Sequence, residues 1–186
     1  MKKFKISYNS PVILTFVIVS LVAFLLNEFT DGWANTTLFS TYRSSFADPL
    51  TYVRMVLHVL GHSSWSHYCA NMVMILIVGP LLEEKYGSVT LLEIMALTAV
   101  ATALIHSAFF PGHAILGSSS VIFMFIMVSS FTENRKGTIP LTVLIAIFMY
   151  IGSEMLDGII QQENVYQLSH ITGGLVGSLF GWMIRR

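Results

Sequence analysis

From Ile94 to Thr132 the chain carries not one Asp, Glu, Lys or Arg. A charge-free run of that length is too long for one bilayer crossing of about 20 residues, and Pro111-Gly112 breaks it in two. Two membrane helices joined by a tight turn are the reading that accounts for both features. The rest of the chain agrees: 54% of residues are hydrophobic and only 11% charged, far below the roughly one-quarter charged fraction of soluble domains. Mean hydropathy is +0.71.

Charge-free stretches predict six spans, at about 11–28, 67–83, 89–108, 118–132, 139–156 and 167–184, in one all-α membrane domain covering residues 1–186. Residues 29–66 form one long external loop between the first two helices, and its Trp33, Phe46, Tyr52 and Trp65 suit a segment at the membrane interface. Lys2, Lys3, Lys5, Lys85, Arg135, Lys136, Arg185 and Arg186 fall on one side, against Arg43 and Arg54 on the other. That asymmetry predicts cytoplasmic termini, and a short chain with no targeting extension suggests a bacterial plasma membrane. The first span follows Lys-Lys-Phe-Lys as a signal peptide would, but no convincing small-x-small cleavage site follows it and the apolar run is long, so it reads as a retained span. Zero net charge, with no basic patch among aromatics, argues against nucleic acid as a partner. Cys69 alone allows no internal disulfide.

The polar residues inside the spans fall at one depth. At about 1.5 Å per residue, Ser119 stands about 21 Å above the level of Glu133, and His170 about 22 Å above Arg185. His67 and Asn71 lie about 24 and 18 Å above Glu83 by the same rise. A His and an Asn in a bilayer are costly unless they meet each other or water, so a polar cavity open to the outside is expected. Gly173, Gly177 and Gly181 make a small-residue stripe on the face His170 roughly shares, which would let the fourth span approach closely.

A serine hydroxyl becomes a nucleophile when a base takes its proton, and histidine is suited to that near neutral pH. Ser119 and His170 fit those roles as a dyad, because Glu154 and Asp157 lie too near the outer end of the fifth span to orient the imidazole. Ser119 opens a helix, where unpaired N–H groups favour a developing oxyanion, and His67 and Asn71 share a helical face from which to add donors. Taken singly, Ser119 reads as a helix cap, His170 as a packing residue and the glycines as a helix contact. Their coincidence at one depth favours catalysis. His58 and His62 are spaced like metal ligands, but no H-E-x-x-H occurs and they read as structural. His106 and His113 flank the turn between the third and fourth spans and are expected to face water.

These residues resemble the motifs of the rhomboid intramembrane serine proteases, in their compact six-helix bacterial form. Gly117-Ser118-Ser119-Ser120 resembles the Gly-x-Ser-x nucleophile motif, His67-Tyr68-Cys69-Ala70-Asn71 the His-x-x-x-Asn of the second helix, and His170 to Gly177 the His-x-x-Gly-x-x-x-Gly of the sixth. Glu84-Lys85-Tyr86-Gly87-Ser88 is similar to the turn after that family's second helix. The resemblance implies hydrolysis of peptide bonds in or beside transmembrane segments of single-pass proteins, without metal or cofactor. It implies Ser119 as nucleophile, His170 as base, and His67, Asn71 and the Ser119 amide as oxyanion donors. Phe123 would pack on His170, with residues 139–156 as gate and about 157–167 as cap. An inactive relative that binds membrane clients is the alternative, and a small transporter would need an internal repeat that is not visible. The sequence departs from the pattern at Ser120, usually glycine, whose hydroxyl is expected to bond a carbonyl one turn back. It departs again at Val53-Arg54, which keeps the cation of a Trp-Arg pair without the indole and puts loop anchoring in question.

Overall fold

The computed structural model describes residues 8–132, 141, 148 and 165–184. The first helix, α1, runs over Pro11–Phe29 with proline at its start, where a missing N–H costs nothing. Two more of its orphan N–H groups, those of Val12 and Ile13, donate to the Glu83 carboxylate at 2.9 and 3.0 Å. Glu83 belongs to α3, Trp65–Tyr86, and also accepts from the Ser88 hydroxyl, at 2.7 Å, on the first residue of α4, Ser88–Phe109. One buried carboxylate thus ties three helix ends together at the side of the molecule opposite Ser119. α3 begins with Ser64 accepting from the His67 N–H at 3.1 Å and ends at Gly87, whose φ of +82° favours glycine.

The segment between α1 and α3 contains α2, Pro49–Leu57, capped by the Asp48 carboxylate on Leu50 N at 3.0 Å, and a single 3-10 turn, His58–Leu60. Arg54 is buried there, donating to the Thr37 carbonyl at 3.0 Å and lying 4.8 Å from the centre of the Tyr42 ring. Arg54 therefore anchors this segment without the missing indole. Trp33, Phe46, Tyr52 and Trp65 are all exposed, as residues facing an interface would be.

α5, Ser119–Thr132, lies at the centre. Val121, Ile122, Phe123, Met124 and Phe125 are each at most 4% exposed, so this helix is covered on every side. It packs against α3, α4 and α6, the last spanning Val165–Ile184. The Phe125 ring meets Gly79 of α3 beside Ile13 of α1, which closes the middle of the bundle. Among the described residues α1, α3 and α4 are long and apolar enough to cross a membrane by length and composition. The expected span at 139–156, with the gate and cap assigned to it and to the residues after it, lies outside the described residues but for Leu141, Phe148 and the first turn of α6.

Two expectations are corrected here: the expected loop 29–66 contains the helix α2, and His106 is buried. His106 is not in water: it is 1% exposed, and its Nε2 donates to the His113 carbonyl at 2.9 Å, fastening the α4–α5 turn.

Candidate active site

The approach to α5 is held from two directions. The backbone N–H and C=O of Ile115 pair with those of Thr41, both at 2.9 Å, and the Gly117 N–H donates to the His58 carbonyl at 2.9 Å. The loop after α1 and the turn after α2 thus fix the approach to Ser119. Neither pairing follows from residue spacing, because both partners lie far away in sequence.

Gly117 adopts φ +119°, a region L side chains rarely enter, and it faces α3. A Cβ there would stand 2.9 Å from His67 Nε2 and 3.7 Å from Asn71 Nδ2. His67 and Asn71 are therefore brought onto the backbone that leads into Ser119. Asn71 is 7% exposed, and its Nδ2 has no hydrogen-bond partner among the described residues. His67 Nδ1 shares a hydrogen bond with Ser63 Oγ at 3.2 Å. When Ser63 donates, the imidazole carries its proton on Nε2, the atom turned toward Gly117.

Of the three consecutive serines, Ser118 and Ser120 are buried and Ser119 is half-buried. The Ser118 carbonyl accepts the Ile122 N–H at 3.0 Å, which starts the helix. Ser120 does not behave as expected. Its hydroxyl finds no hydrogen-bond partner among the described residues, and its carbonyl is what the neighbouring helix approaches.

That neighbour is α6. A side chain at Gly173 would collide with the Ser120 carbonyl, and one at Gly177 would stand 2.6 Å from that of Met124. Positions 120 and 124 thus meet 173 and 177 in the same order, so the two helices run parallel at close approach. Helical side chains lean toward their own N-terminus, which carries the Phe123 ring back toward the level of Ser119. There it stacks on the His170 imidazole, ring centres 5.2 Å apart and planes inclined by 12°. The structure thus brings His67, Asn71 and His170 around the first turn of α5 from two helices. His58 Nδ1 bonds the Arg54 and Met55 carbonyls, whereas His62, whose Nδ1 bonds that of Leu60, packs its ring edge-on against His67 with centres 5.0 Å apart.

Comparison with known proteins gives the family of the chain. The family model described as the Rhomboid domain matches residues 49–186. Rhomboid-type serine protease 2 of Yarrowia lipolytica is 30% identical over 137 residues, covering 70% of this chain and 45% of that protein. Rhomboid-like protein 11, chloroplastic, of Arabidopsis thaliana is 22% identical over 139 residues, covering 67% of this chain and 50% of that one. The chain spans about half the length of the curated relatives it matches. With the family's domain matched over most of its residues and apolar helices long enough to cross a bilayer, this multi-pass membrane protein belongs to the rhomboid family.

Proposed function

We propose that the chain is an intramembrane serine endopeptidase, a six-span protein that cleaves transmembrane segments of single-pass proteins within the lipid bilayer. The observation that carries this reading is the Phe123–His170 stack, which supports an imidazole at the first turn of α5, beside the half-buried Ser119. The name of the Yarrowia relative, a serine protease, points the same way.

In the proposed reaction His170 takes the proton of Ser119 Oγ as that oxygen bonds the substrate carbonyl carbon. The carbonyl oxygen becomes an oxyanion, met by the Ser119 N–H at the positive end of α5, by Asn71 Nδ2 and by His67 Nε2. His170 then hands the proton to the leaving amine as the C–N bond breaks. Water, deprotonated by the same imidazole, hydrolyses the acyl-enzyme and restores Ser119. No step requires a metal or cofactor. The lysine and arginine asymmetry supports cytoplasmic termini, with the site opening outward.

The test is labelling with a fluorophosphonate, which modifies activated serines, alongside cleavage of a reconstituted single-pass substrate. Wild type should label and cleave, while Ser119→Ala and His170→Ala should do neither, yet keep the wild-type melting transition within a few degrees. Cleavage surviving in either variant rejects the dyad. A wild-type protein that binds substrate but neither labels nor cleaves is the inactive, client-binding relative instead.

A further inference from the structure

Away from Ser119, a cavity of about 340 Å³ opens between the segment after α1, α2 and the last turns of α4. Its apolar wall is Met55, Leu104 and Ala108, and its polar rim is Tyr42, Arg43 and Ser107. The volume falls in the range that small-molecule sites occupy, roughly 300–1,000 Å³.

The rim holds unused donors. Arg43 is exposed and makes no hydrogen bond or ion pair among the described residues, whereas Arg54 is committed to Thr37 and Asp48. The Tyr42 ring faces Arg54, but its hydroxyl has no hydrogen-bond partner among the described residues, and neither has the buried Ser107 Oγ. The other hydroxyls of the lining are spent: Thr51 donates to the Ser45 carbonyl at 2.7 Å, and Ser44 and Thr51 bond each other at 2.8 Å. Arg43 is the one charged residue in the lining, so the cavity offers a cation and no carboxylate.

Position decides what fits. α4 ends at Phe109, and Leu104 lies five residues inside that end, about 7.5 Å along the helix axis. Phe46, Tyr52 and Phe109 are exposed around the same end, the distribution expected at headgroup level. A ligand here meets a cation at the headgroup region and apolar wall below it, the profile of a phospholipid rather than of a free anion.

We propose that this cavity binds one anionic phospholipid of the leaflet on the Ser119 side. Its phosphate sits on Arg43, with donors from the Tyr42 and Ser107 hydroxyls, and an acyl chain lies along Met55, Leu104 and Ala108. A net anionic headgroup is preferred because the lining holds a cation and no carboxylate. The proposal is independent of catalysis.

The experiment is native mass spectrometry of the full chain, released from nanodiscs of phosphatidylglycerol and phosphatidylcholine in equal amounts. Wild type should retain one phosphatidylglycerol with at least fivefold preference. Arg43→Gln, at an exposed position, should lose that preference, and Ala108→Trp, which fills the wall, should lose the bound lipid. Melting curves in detergent, matching wild type for Arg43→Gln, separate lipid loss from misfolding. Equal retention of both lipids by wild type, or undiminished preference in Arg43→Gln, overturns the proposal. So does an Arg43→Gln protein that keeps the lipid but weakens binding of the single-pass substrate, which would give the cavity to a polypeptide.

Discussion

The Ser120 carbonyl occupies the space a side chain at Gly173 would need. Two helices that carry the proposed nucleophile and base are thereby pressed backbone to backbone, and the next contact along, Gly177 on Met124, repeats the arrangement one turn on. Gly173→Ala should therefore force α5 and α6 apart, destabilising the protein by about 1–3 kcal/mol as overpacking does, and lowering cleavage further than stability. Gly174 is the internal control. Its nearest neighbour is Phe123 at 3.7 Å, an ordinary contact, so Gly174→Ala should change stability by no more than about 1 kcal/mol, helped by alanine's better helix propensity. Melting in detergent with a cleavage assay checks both. Equal effects of the two substitutions would reject the close approach as the reason for the glycine.

Phe123 and His170 are stacked nearly parallel. An aromatic pair of this kind contributes about 0.5–1.5 kcal/mol beyond the area it buries, and here it also fixes the imidazole plane. Phe123→Leu keeps the bulk and loses the flat face; Phe123→Tyr keeps both. Phe123→Leu should lower kcat about tenfold with little change in KM, while Phe123→Tyr stays within about threefold of wild type, since one kcal/mol is roughly a fivefold rate change. A fall in KM affinity with kcat unchanged would mean that the ring serves substrate binding instead.

Glu83 accepts from Val12 N, Ile13 N and Ser88 Oγ while 4% exposed. Removing the carboxylate strands two N–H groups at the start of α1, and hydrogen bonds to a charged group contribute about 1.5–3 kcal/mol each. Glu83→Ala should lower stability by at least about 2 kcal/mol, and Glu83→Gln, which keeps one oxygen, by about half as much. Unfolding in mixed micelles measures the order. Alanine as stable as wild type would show that lipid or water replaces the clamp.

Much of this was legible because charges and breakers bracket the helices. α3, α4, α5 and α6 begin and end within three residues of the stretches expected from Lys85, Gly87, Pro111 and their neighbours. The common level of Ser119 and His170 was readable from depth alone, since parallel helices of equal rise keep their register. α2 was readable in principle from Asp48-Pro49, a cap followed by proline at the first helical position, but its exposed aromatics drew the reading toward a loop. What depends on partners distant in sequence was not readable: Glu83 on α1 and Gly117 on the His58 carbonyl. The burial of His106 was not readable either, because a place beside a proline turn does not show what packs over the ring.

His58 and His62 contribute to the acid response of the segment around α2. Burial pushes the His58 imidazole down to about 4 from an ordinary 6.5, against the pull of the Arg54 and Met55 carbonyls, and burial brings His62 to about 4 as well. Each ring is neutral when folded, while the unfolded chain takes up protons below about pH 6.5, so stability rises with pH across this window. The contribution of His58 is fully present above pH about 6.5 and is lost as pH falls to about 4, at most about 3 kcal/mol over the window. His58→Gln keeps an amide donor for the carbonyls and removes the titration. Its stability should therefore fall less steeply between pH 6.5 and 4 than that of wild type, by up to one proton's worth of slope, the remaining slope belonging to His62 and the other buried histidines. Unfolding midpoints at half-unit pH steps read this directly, and an unchanged slope would mean that His58 is hydrated and titrates normally in the folded protein.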